Sequence, residues 1–186
     1  MIMKKKLILG AVGTIAAVTL FAGVVNADTT DPAPLIGESS IVINAGAITL
    51  DTVPSLTFED QDITEDGFIS DGEASDVFTI TDLRGGDTGW ILNAVASELT
   101  LTTGAYDLPV SDLTITPAEG GIEDSDVTGI SGNIYQTEGT ILKAGPDTNG
   151  KQEIDVDSSS LSAGEALKAG TYEGTITYTL GDEITE

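Results

Sequence analysis

The tightest constraint on the fold lies in residues 84–93, RGGDTGWILN. Trp90 is the only tryptophan, and Leu92 follows two positions later. In an extended chain, residues i and i+2 point to one face, so Trp90 and Leu92 project together while Ile91 and Asn93 oppose them. Gly85, Gly86 and Gly89 make the lead-in a turn, because glycine adopts backbone angles that other residues resist. A related unit closes the chain at residues 172–180, YEGTITYTL. There Tyr172, Gly174, Ile176, Tyr178 and Leu180 share one face, and Glu173, Thr175, Thr177 and Thr179 the other. The spacing predicts a single long strand, and the two aromatic-x-Leu segments are expected to anchor one sandwich-like core.

Shorter alternating runs fill the interval. Residues 77–83 place Phe78 and Ile80 on one face, and residues 39–50 carry Ile41, Ile43, Ile48 and Leu50 in one or two strands. Pro54 marks an edge strand or a bend in residues 50–58. Residues 98–103 are expected to form a hairpin with the Trp90 strand, and residues 134–143 a hairpin around Glu138-Gly139. Further strands are expected at 113–116 and 152–156, with loops or turns at 120–132 and 146–150. The acidic stretch 59–76 lacks periodicity and is expected to be a surface loop with Phe68 and Ile69 tucked inward. Residues 158–168, with Leu161, Glu165, Ala166 and Leu167, support a turn of helix at most. Many short strands with regular turn signals and no βαβ alternation indicate an all-β chain: a single β-sandwich-like domain with long acidic loops.

A helical signal peptide is expected ahead of that domain. Lys4, Lys5 and Lys6 precede an uncharged apolar run over residues 7–25, and Val25-Asn26-Ala27 fits a cleavage site. The rival is a retained membrane anchor, since the run is long enough to span a bilayer; the cleavage site and the polar sequence after it favour removal. The expected division is 1–27 signal, 28–38 linker with Pro32 and Pro34, and 39–186 β domain. Cleavage leaves four basic against 31 acidic residues, a formal charge of −27. Such a charge argues against nucleic acid and anionic membrane as partners. The chain has no cysteine, hence no disulfide framework.

Catalysis has little support. Without histidine or cysteine the usual nucleophile–base pairs are missing, and so many carboxylates make any single acid pair uninformative. Calcium is the one cofactor the composition raises, through Asp60, Asp62, Glu65, Asp66, Asp71, Glu73 and Asp76. Their spacing does not match an EF-hand loop, and the turn at Asn149-Gly150 is only a fragment of one, so a solvated acidic face is expected and no cofactor is assigned. Trp90 and Leu92 could form a platform for sugar rings. A buried core position is the favoured reading, with the motif acting on binding through the fold.

Together these segments resemble the WxL-domain surface proteins of low-GC Gram-positive bacteria. Trp90-Ile91-Leu92 matches the proximal W-x-L motif, and Asp82, Arg84, Gly85 and Gly89 are similar to its D-x-R-G…G-W approach. Residues 172–180 resemble the distal motif, with Tyr178 where tryptophan is usual and without the proline that normally follows. Gly46-Ala47-Ile48-Thr49-Leu50, Val53-Pro54 and Phe58 are similar to the family's opening. The likeness covers about residues 39–182, and its motif residues are Trp90, Leu92, Tyr172, Tyr178 and Leu180.

The resemblance implies a non-enzymatic protein held noncovalently on the cell wall, with peptidoglycan as the attachment and a WxL-interacting surface protein as a partner. The expected location is secreted and cell-surface, with no membrane contact after signal cleavage. The sequence has no LPxTG motif, in line with noncovalent attachment. The alternative is a secreted adhesin or assembly subunit that recognises a host or bacterial partner protein. Because the wall is partly anionic, binding is expected to strengthen as pH falls through about 4.

Overall fold

The computed structural model describes residues 37–86, 88–119, 127–146 and 148–183. The expected signal peptide, and all of the linker but its last two residues, lie outside them. The described residues contain strands and no helix. The strands are β1 (Ile48–Thr52), β2 (Leu56–Phe58), β3 (Phe68–Ala74), β4 (Phe78–Asp82), β5 (Trp90–Ala96), β6 (Thr100–Leu101) and β7 (Val110–Pro117). There follow β8 (Val127–Gly129), β9 (Gly132–Asn133), β10 (Gly139–Ala144), β11 (Gly150–Ile154), β12 (Val156–Ala163), β13 (Tyr172–Glu173) and β14 (Ile176–Asp182).

They form a five-stranded sheet in the order β2-β3-β12-β7-β9, a four-stranded sheet β14-β5-β10-β8, a three-stranded sheet β1-β4-β11 and a short ladder β13-β6. Every ladder is antiparallel. The fold class is thus all-β, as the alternation predicts. Strand β5 shows why: Trp90, Leu92, Ala94 and Ala96 are buried, with half-exposed residues between them. Phe78 and Ile80 of β4, Leu113 and Ile115 of β7, and Leu161 and Ala163 of β12 join them in one apolar core. In β10 the register slips between Thr140 and Leu142, and the extra residue lets consecutive Ile141 and Leu142 both bury.

Several expectations are overturned. Seven residues of the acidic stretch 59–76 form strand β3, paired with β2 and β12. Its inward face is Phe68, Ser70, Gly72 and Ala74; small residues there hide the apolar alternation. Gly72 is needed, since a Cβ would fall 2.6 Å from the Phe58 ring. Ile69 points outward and is exposed. Residues 158–168 contain no helical turn; most of them belong to β12, a central strand whose Ser159, Leu161 and Ala163 face inward. Sheet context overrides the weak local propensity. No strand forms at Ile41 and Ile43, which are exposed.

Neither expected hairpin forms. β6 pairs with β13, not β5, and β10 pairs with β5 and β8. The terminal strand is not continuous either. It breaks at Gly174-Thr175, where Ser97 takes over both backbone groups of Thr175: its N–H donates to the Thr175 carbonyl at 2.8 Å, and its Oγ accepts from the Thr175 N–H at 2.9 Å. Tyr172 therefore pairs with β6 rather than β5, while it still packs on the core as Tyr178 and Leu180 do.

Candidate functional site

The two motif strands lie side by side. Leu92 is opposite Leu180, Ala94 opposite Tyr178 and Trp90 opposite Asp182 in the β5–β14 ladder. Trp90 and Leu92 are each 0% exposed, so neither can touch a ligand at the surface. The indole N–H of Trp90 has no hydrogen-bond partner, which marks the side chain as packing volume rather than a polar contact. Leu180 packs on the core from the partly buried layer. Tyr178 sets its ring edge-on to Phe78 at 5.4 Å and donates its hydroxyl to the Pro54 carbonyl at 3.3 Å. A hydroxyl with a hydrogen-bond partner lets a tyrosine fill this partly buried position. Burial pushes the Tyr178 hydroxyl up to about 12.

The lead-in to Trp90 is a clamp, a role the residue types alone did not reveal. Asp82 ends β4 with its side chain almost wholly buried. Its Oδ1 accepts from the Arg84 backbone N–H at 3.0 Å and from Nε at 2.9 Å, and its Oδ2 accepts from Nη2 at 2.6 Å. Arg84 reaches on to Asp182 at the end of β14 at 2.5 Å and to the Thr88 carbonyl at 2.9 Å. One guanidinium thereby ties β4, the turn and β14 together, in the fork geometry that suits arginine. The Arg84 contacts hold the Asp82 carboxyl below the usual carboxylate range, against the opposing effect of burial. The same pairing raises Arg84 further above neutrality. Gly89 completes the turn: a Cβ there would overlap the Ala144 carbonyl of β10.

Away from this clamp lies an open groove of about 730 Å³, within the usual range of ligand clefts. Its apolar lining includes Leu56, Phe58, Phe68, Leu108, Leu161 and Ile176. Glu59, Asp60, Asp62 and Glu173 contribute carboxylates, and Lys168 the one cation of the lining. Tyr172 is the one motif residue on the groove. Its hydroxyl donates to the Lys168 carbonyl at 2.9 Å and its ring meets Tyr106 edge-on at 6.4 Å. The Lys168 ammonium sits 4.0 Å from the centre of the Tyr106 ring. Trp90, Leu92, Tyr178 and Leu180 form core and strand pairing; only Tyr172 reaches a cavity.

Of the acids raised for calcium, Asp71 and Glu73 sit on the exposed face of β3. Among the described residues no group of three or more acidic side chains converges to hold a metal ion. Asp147, beside the Asn149-Gly150 turn, lies outside the described residues.

A family model described as WxL domain, surface cell wall-binding, matches residues 25–183. Neither the curated proteins nor the solved structures include a significant match to the chain.

Proposed function

Because the chain belongs to the WxL domain family and is a cell wall-binding surface protein, we propose that it attaches noncovalently to peptidoglycan and catalyses no reaction. The observation that carries this reading is the family match itself, which takes in every described strand. The buried motif supports a division of labour in which Trp90, Leu92, Tyr178 and Leu180 build the body and a surface groove meets the ligand. A binding role is also supported by the absence of histidine and cysteine from the sequence. The reading includes secretion, removal of residues 1–27, and no metal or cofactor.

The test is sedimentation with purified peptidoglycan. The protein is expected to pellet with it and to come off in denaturant, leaving the pattern of peptidoglycan fragments unchanged. Protein that stays in the supernatant overturns attachment. Protein that resists denaturant overturns noncovalency, and new fragments overturn the non-enzymatic reading.

A second reading, docking to a WxL-interacting surface protein, is favoured by one observation. Ile41, Val42 and Ile43 are consecutive, apolar and more than four-fifths exposed, an arrangement suited to adding a strand to another chain. Substituting all three with serine is expected to abolish co-purification with that partner while leaving peptidoglycan sedimentation intact.

A further inference from the structure

The groove has three properties that together select a ligand. Its lining is mixed, and the apolar part, with Leu56, Phe58, Leu108 and Ile176, favours a ligand that buries some surface there. It is bordered by strands with spare backbone groups. β2 ends the five-stranded sheet and β13 belongs to a two-stranded ladder, so among the described residues each has one unpaired edge, and both line the cavity. The amide groups of a bound peptide can hydrogen-bond to such edges. Finally, Glu59, Asp60, Asp62 and Glu173 outnumber Lys168, and Lys168 is already drawn over Tyr106. The charge is complementary to a cation.

A glycan fits less well. Sugar rings stack on exposed aromatic faces, and none of the described aromatic residues is exposed. Phe78 and Trp90 are fully buried, and Tyr106 and Tyr172 are engaged with each other and with Lys168.

We infer that the groove between β2 and β13 binds the peptide part of the wall polymer, with the stem peptide's free primary ammonium drawn to the acidic border that Glu59, Asp60, Asp62 and Glu173 give the groove. This rests on the peptidoglycan reading above and names the part of the polymer that is recognised. The backbone edges offer hydrogen bonds to the peptide's amides, the apolar part of the lining supplies burial, and the carboxylates distinguish a free amine from a capped one. Walls in which most of these amines are consumed by cross-links would offer fewer sites.

The experiment titrates the protein with the synthetic peptide L-Ala-γ-D-Glu-L-Lys and with its Nε-acetyl form, followed by calorimetry. In parallel it measures sedimentation with intact, acetylated and amidase-stripped peptidoglycan. The free-amine peptide is expected to bind about threefold to tenfold more tightly than the acetylated one, the scale of one or two exposed ion pairs. Acetylation or stripping should reduce sedimentation. The variant Asp60→Asn/Asp62→Asn/Glu173→Gln changes only exposed side chains, so it is expected to keep its melting curve and lose the preference. Equal binding of the two peptides, or an unchanged preference in the variant, overturns the inference. Full binding to stripped glycan overturns it while leaving attachment to peptidoglycan standing. Binding of the free-amine peptide without sedimentation on intact peptidoglycan would instead sink the attachment reading and keep the groove assignment.

Discussion

Asp82 is the residue on which charge and fold are most tightly joined. A buried carboxylate costs free energy unless its oxygens are satisfied, and here both are, mainly by Arg84. Asp82→Asn keeps the shape but removes the charge, leaving Arg84 to Asp182 alone. The expected loss is about 2 kcal/mol at pH 7, at the modest end for a buried pair because Arg84 is one-fifth exposed. The folded carboxyl titrates below its unfolded value, so its stabilisation is present above about pH 4 and is lost as pH falls through the folded value. The stability gap between wild type and variant should close in acid; urea melts at pH 7 and pH 2 would show it, and a constant gap would rule out charge as the cause. Tyr178 behaves in the opposite sense. Its hydroxyl is raised to about 12, so its contribution is complete below about pH 10 and is lost as pH rises from there to 12. Tyr178→Phe should be nearly neutral at pH 7, losing one 3.3 Å hydrogen bond, and should flatten the alkaline loss of stability. Trp90→Phe isolates packing, since the indole N–H has no partner to lose. A fall of about 1–3 kcal/mol with peptidoglycan sedimentation retained is expected, scaled down from full truncation of a buried tryptophan. Unchanged melting with sedimentation lost would give Trp90 a contact role.

At the scale of elements, the turn into β5 is set by Gly89, whose missing Cβ lets β5 start hard against the end of β10. Gly89→Ala is expected to cost more than the usual alanine substitution, about 2 kcal/mol or above, because a backbone carbonyl blocks the methyl group. A melting temperature within a degree of wild type would show that the turn yields easily. The sequence made such strands readable wherever large apolar residues alternate, as in β4, β5 and β14. It concealed β3 and β12, whose inward positions are filled by Ser70, Gly72 and Ser159, small enough to pass for loop or helix composition. Strand pairing was concealed too. Nothing local says that residues 172–173 desert β5 for β6, because the break depends on Ser97 meeting Thr175 across the fold. The D-x-R-G approach was visible as a pattern, but its purpose depends on Asp182, far along the chain. Of the candidate site, the motif residues were legible and the groove was not. Its lining comes from residues 56–63, 96–113 and 161–176, which only the tertiary structure assembles.

On the scale of the whole molecule, two electrostatic effects act on wall binding with opposite signs. The acidic excess repels an anionic wall over the range of the ionic atmosphere, whereas an ammonium in the groove is attracted at contact. Their ranges differ, so salt separates them. Raising ionic strength from about 0.01 to 0.15 M shortens the screening length from about 30 to 8 Å, which removes much of the long-range repulsion. Retention on intact wall should therefore increase over this interval, while affinity for the soluble free-amine peptide should decrease. Acidification through about pH 4 weakens the surface repulsion as well. At low salt, intact wall is expected to hold more protein as the acidic surface neutralises, provided the protein stays folded. A fluorescent copy of the peptide, followed by anisotropy beside the wall sedimentation assay, reads both slopes in one set of buffers. Slopes of the same sign would eliminate one of the two effects: rising together they remove the contact ion pair, and falling together they remove the surface repulsion.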